Sequence, residues 1–184
     1  MKIQYFLFTT IILLSNSCQN RHNDNTQSQI KQLDLKLNES LLVNKPDSFD
    51  FTQIPRLSQQ EYDSLQLKSI EDLDGYDSQD LSMGHILFDG EDGKIITIRI
   101  ITEGELTEYL LSYDRHGSLT DKLLVAYEDL VENYSQISSN IKSDTITIQT
   151  LNYMYDEING EEIETCDTVF ASYQITPELK FISF

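Results

Sequence analysis

Basic residues are scarce in this sequence. Thirteen Lys and Arg stand against 31 Asp and Glu, a formal net charge of −18 at pH 7. Removal of Lys2 with the leader described below would leave 12 − 31 = −19. Such a field repels nucleic-acid phosphates and anionic lipid surfaces and draws in cations and basic proteins. Nucleic acid is therefore not an expected partner, and the plainest use of the acidity is solubility. Cysteine is scarcer still, with only Cys18 and Cys166, so one disulfide is the most the chain could form. Of the three histidines, His22, His85 and His116, none has a Cys, a His or a carboxylate at a metal-ligand spacing, which argues against zinc. The seven glycines fall mostly in turns and form neither a phosphate loop nor a dinucleotide fingerprint. No serine sits in a nucleophile elbow. Together these absences point away from an enzyme and away from a bound cofactor.

What the chain does have is enough apolar residue, 39% against 24% charged, to bury a core in a chain of 184 residues. That length favours one domain. Its start is distinctive. Met1 and Lys2 give a short positive end, and Tyr5–Leu14 an apolar run of ten residues. A bilayer span needs about 20, whereas a run of this length suits the core of an export signal. Leu14, Ser15, Asn16 and Ser17 then lead into Cys18. Small residues fit a signal peptidase, and the thiol that follows can take a diacylglycerol. This stretch resembles the bacterial lipobox, in the looser form of Bacteroidota lipoproteins, with Asn16 where the pattern usually has a small residue. The resemblance implies that Met1–Ser17 is removed and that acylated Cys18 holds the protein to a lipid bilayer. Three acyl chains exceed what stable anchoring requires. Gln19 after the cysteine implies, by likeness to lipoprotein sorting, the outer membrane of the cell envelope, with the leaflet open. With Cys18 acylated, Cys166 is left without a partner in the chain and reads as a half-buried small hydrophobe on a strand.

Residues 18–46 read as anchor and spacer. Gln19–Gln29 is polar throughout and flexible by composition, and Ile30–Val43 fits a helical face through Ile30, Leu33, Leu37 and Leu41 or a strand through Leu33, Leu35 and Leu37, leaning to a short helix. Residues 47–184 read as a single acidic, mostly β domain. Ser58 and Glu61 form a capping box, with Leu57 and Tyr62 as its hydrophobic staple, predicting a helix over Gln59–Lys68 that buries Tyr62 and Leu65. From Met83 the apolar period becomes two. Strands are expected at Met83–Phe88, Lys94–Thr102, Glu105–Tyr113, Leu119–Val125, Thr145–Tyr155, Glu162–Ile175 and Lys180–Phe184. Turn signals at Asp89–Gly93, Asp114–Gly117 and Asn159–Gly160 join them. Ala126–Ser143 reads as a long loop or short helix. Apolar residues at both parities of Ile95–Ile101 mark a central strand. The expected fold is mainly β: an antiparallel meander of about seven strands, curled into a sandwich or open barrel, with one short N-terminal helix. The Ser112–Leu119 turn, the Ser143–Ile148 strand and Tyr173–Thr176 are similar to those of small uncharacterised lipoprotein domains of the same bacteria, a likeness that implies no activity.

The acidic run Glu71–Asp80 is the remaining candidate site. Counting Gly75 as the sixth loop position puts Ile70 first and Leu81 twelfth, where an EF-hand needs carboxylates. Asp72, Asp74, Asp77 and Asp80 remain as an irregular calcium loop or, read the other way, as a solvated acidic surface for a basic protein. The function expected is a membrane-anchored, non-catalytic interaction domain, such as an immunity or inhibitor protein. The alternatives are a ligand carrier with an apolar cavity, or a structural accessory of an outer-membrane complex.

Overall fold

The computed structural model describes residues 41–43, 54–102, 105–129, 135–158 and 161–184. The expected leader, Cys18 and the expected spacer through residue 40 lie outside the described residues. Among the described residues nine strands form a single sheet. They are β1 (Leu41–Val43), β2 (Leu81–Gly90), β3 (Gly93–Ile101), β4 (Glu105–Asp114), β5 (Leu119–Asp129), β6 (Ser135–Lys142), β7 (Thr145–Ile158), β8 (Glu161–Ile175) and β9 (Phe181–Ser183). Strands β2 to β9 pair in sequence order, all antiparallel, and β1 pairs β6. The mainly β meander expected from the period-two pattern is what forms. Two readings are corrected. Leu41–Val43 is strand, not helix, because it hydrogen-bonds β6 where β5 has parted from it. Ser135–Lys142, in the expected loop, is also strand. Its alternation is mostly polar, so pairing with β7 rather than an apolar period holds it in place.

The sheet curls without closing. Strands β5 and β9 lie four positions apart in the pairing order, about 19 Å across a flat sheet. Yet the Phe181 N–H donates to Asp121 Oδ2 at 2.8 Å. Inside this curl Leu87, Ile95, Leu110, Val125, Ile141, Ile146, Ile175 and Phe181 pack together, drawing on strands from β2 to β9. The opposite face of β2–β4 carries a second core, in which Ile96, Ile98, Ile100, Leu111 and Tyr113 pack under Leu57, Tyr62, Leu65, Leu67, Ile70 and Leu73.

That second core is roofed by the segment 54–80. Helix α1 (Gln59–Ser64) starts at the expected box, where Glu61 N–H donates to Ser58 Oγ at 3.2 Å and Ser58 N–H donates to Glu61 Oε2 at 2.8 Å. The helix is shorter than expected. Gln66 takes a left-handed conformation at φ 54° and ends the run, and a single 3-10 turn follows over Leu67–Ser69. The break turns Leu67 inward, to full burial. The Tyr113 hydroxyl donates to Leu65 O at 2.9 Å and ties this roof to the sheet. Burial raises the Tyr113 phenol well above the usual tyrosine range.

Candidate functional site

The four candidate aspartates do not converge. Asp72 pairs with Lys122 of β5. Asp77 Oδ1 accepts from Gln79 N–H at 2.7 Å, and Asp80 Oδ2 accepts from Asp77 N–H at 3.0 Å, so these carboxylates shape their own turn. Asp74 is felt by Tyr62, whose phenol is raised by burial first and then by the charges of Asp63, Asp77 and Asp74. Among the described residues no three acidic, His or Cys side chains are grouped to hold a metal ion. Leu73 in this run and Ile70 just before it are buried in the core, so the run offers a solvent-facing acidic surface.

The fold assembles a polar cluster that the linear pattern does not show. Antiparallel register places Arg99 opposite Glu108, and Arg99 Nε donates to Glu108 Oε2 at 2.8 Å. Glu108 is only 3% exposed, and its Oε1 has no hydrogen-bond partner among the described residues. His85 joins them through its Nε2, 3.3 Å from Arg99 Nη2. A bulge in β2 makes this possible. Between Met83 and Ile86 the strand carries one residue more than β3 opposite it, so the His85 N–H leaves the ladder and donates to Thr97 Oγ1 at 2.7 Å. Gly84 sits in the bulge, where a Cβ would lie 2.2 Å from Thr97 Oγ1 and 2.6 Å from Glu108 Oε1. The cluster's evident work is to pin β2, β3 and β4 together through charge-assisted bonds. Its signal was available: pairing Ile101 with Leu106 across the turn brings Arg99 to Glu108. The bulge that adds His85 has no comparable mark in the sequence.

A third region is exposed. Strands β7 and β8 stay in unbroken register from Thr145↔Gln174 to Ile158↔Glu161. Strand β6 accompanies β7 only as far as Asn152, so from Tyr153 to Cys166 the pair projects beyond the described sheet as a two-stranded ribbon. Met154, Tyr155 and Ile163 on this ribbon are exposed, as are Val169 and Phe170 at its base, the last two at 55% and 65%. Register puts Ile182 and Phe184 on the face of β8 that carries Phe170. Between Tyr153 and Phe170 the sequence has six acidic residues and no Lys or Arg. Cys166 lies here too. It is an exposed free thiol rather than the half-buried hydrophobe expected, because no described layer covers β8 at that point. His116 belongs to the β4–β5 turn, where Asp114 Oδ1 accepts from the N–H groups of His116 and Ser118 at 2.8 and 2.9 Å. These backbone bonds, with Ser118 the larger contribution, hold the Asp114 carboxyl below its usual range.

Fold and surface define an all-β protein built on one open, curled antiparallel meander with a short helical roof. No protein-family model matches the chain, and neither the curated proteins nor the solved structures contain a match.

Proposed function

We propose that this chain is a cell-envelope lipoprotein, anchored through acylated Cys18 in the outer membrane, whose β domain is a non-catalytic interaction module for a basic protein, in the manner of an immunity or inhibitor protein. The observation that carries this reading is the β7–β8 region. Large apolar side chains there stand in water on both faces of a strand pair whose charges are all negative. Contiguous exposed apolar surface with a polar surround marks a protein contact, and aromatic anchors such as Phe170 and Tyr155 are the residues that dominate such contacts. The Glu71–Asp80 surface contributes charge at longer range, which speeds encounter more than it strengthens the final complex. The interior of the curl is filled by side chains packed on one another, which weighs for surface contact over a carrier.

Two measurements test this. A photo-crosslinking residue placed at Phe170 should capture a basic protein in intact envelopes, while the same residue at Gln59 on the helical roof should not. Capture from both positions alike, or from neither, would remove the interaction reading. Separately, Cys18→Ser should move the protein from the membrane fraction to the soluble one. A variant that still pellets with membranes would remove the anchor.

A further inference from the structure

Among the described residues the outer edge of β8 is open. Strand β9 pairs only Tyr173, Gln174 and Ile175, so from Glu161 to Ala171 this edge meets no other described strand. The direction of its backbone groups follows from one bond. Phe184 N–H donates to Ser172 O at 3.2 Å, so Ser172 faces outward, toward β9. Ile175 N–H, at the opposite parity, donates to Asp144 O on the β7 side at 2.7 Å. Backbone groups alternate along a strand, and β8 keeps its register with β7 without a shift. The N–H and C=O groups of Phe170, Thr168, Cys166 and Glu164 therefore point away from β7, with no described strand to receive them.

Edges of this kind are normally blunted by lysine, proline, a bulge or a covering loop. None of these devices is present among the described residues between Glu161 and Ala171. What this edge carries instead is acid: Glu161, Glu164 and Asp167 are all exposed. Two copies pairing along it would set these carboxylates against their own kind, and like charges across a strand pair destabilise it. The same carboxylates favour a strand with Lys or Arg opposite them, and Val169 and Phe170 offer apolar neighbours on either face.

Resting on the interaction reading above, we propose that the partner binds by strand addition: an extended segment that carries both apolar and basic residues on each of its faces pairs with the outer edge of β8 along Glu164–Phe170. Main-chain hydrogen bonds to the outward groups would give affinity, and cross-strand contacts with Glu164, Asp167, Val169 and Phe170 would give selectivity.

The test uses the full chain and a synthetic peptide repeating Lys-Lys-Val-Val, which puts both residue types on each face, about ten residues long, a typical strand length. Hydrogen exchange on the complex should show new protection at the Phe170, Thr168, Cys166 and Glu164 amides, with no comparable gain at Val169, Asp167 and Thr165, which already face β7. Thr168→Pro removes one outward N–H and leaves the β7 ladder intact, a substitution an edge strand tolerates. It should weaken binding at least about tenfold, a loss on the order of 1.4 kcal/mol. Thr168→Val keeps the N–H and should stay within about twofold. Peptide binding without the alternating protection, or undiminished in Thr168→Pro, would overturn strand addition while leaving the interaction reading standing. Equal affinity for a Glu-Glu-Val-Val repeat, or no binding of the basic one, would overturn the charge selection. A dimer whose interface protects the same amides would assign the edge to a second copy. Failure of the Phe170 crosslink, by contrast, would strike the interaction reading itself.

Discussion

Strands β3 and β8 carry apolar residues at both parities and meet opposite environments. In β3, Ile95 and Ile96 are 0% and 2% exposed, whereas in β8 the adjacent Val169 and Phe170 are 55% and 65% exposed. The apolar pairs by themselves do not separate them. Strand β3 lies between β2 and β4, beneath the helical roof on one face and within the curl on the other. Strand β8 is enclosed only at its Tyr173–Ile175 end, and its outer half has one strand neighbour and no described layer above it. An apolar residue is buried by what lies over it, and a strand's own pattern states only that it could be buried. In β3 the isoleucines stabilise the fold, while in β8 similar residues remain available for contact.

The difference can be broken most severely at Gly93. Its φ is +141°, and a Cβ there would lie 2.0 Å from Tyr113 O, against backbone rather than a movable side chain. Strain and overpacking of about 1–3 kcal/mol each predict that Gly93→Ala lowers unfolding stability by about 4 kcal/mol in urea titration. A loss under about 1 kcal/mol would mean that β3 is as loosely held as the ribbon.

A smaller effect is expected at Tyr113. Tyr113→Phe removes the bond to Leu65 O and should cost about 1 kcal/mol at neutral pH. Because the folded phenol titrates above the unfolded one, its stabilising share is full below about pH 10, the unfolded value. It declines as pH rises beyond that toward the folded value. Wild type should therefore lose stability above about pH 10 more steeply than Tyr113→Phe. Identical alkaline profiles would detach the roof from the phenol.

The smallest stability effect belongs to the exposed strand. The double change Val169→Thr and Phe170→Ser should shift unfolding by no more than about 0.5 kcal/mol, as surface positions do, and should still abolish capture by a photo-crosslinking residue placed at Tyr155 on the ribbon. A loss of several kcal/mol would show that β8 is a hidden part of the core and would erase the contrast with β3.

Much of the architecture was legible in the residues because it rests on local rules. The capping box at Ser58 and Glu61, the strand at Ile95–Ile101, the turns at Gly93 and Gly117, and the meander order all follow from chemistry within a few positions. Leu41–Val43 and Ser135–Lys142 were misread for one common reason. Both segments are strands because a neighbour pairs with them, and pairing leaves little trace in a polar or very short stretch. The acidic run was legible as exposed charge. The arrival of His85 beside Arg99 and Glu108 was not, since it depends on a bulge in the neighbouring strand.

The sequence by itself determined the class of fold, because period-two burial and turn chemistry act over neighbouring residues. It also determined the sign of the field, which depends on composition alone. Only the tertiary structure decided which apolar stripe is core and which is surface. That outcome depends on where the sheet curls and how far each strand's neighbours extend. Both are set by pairings between residues far apart in the chain.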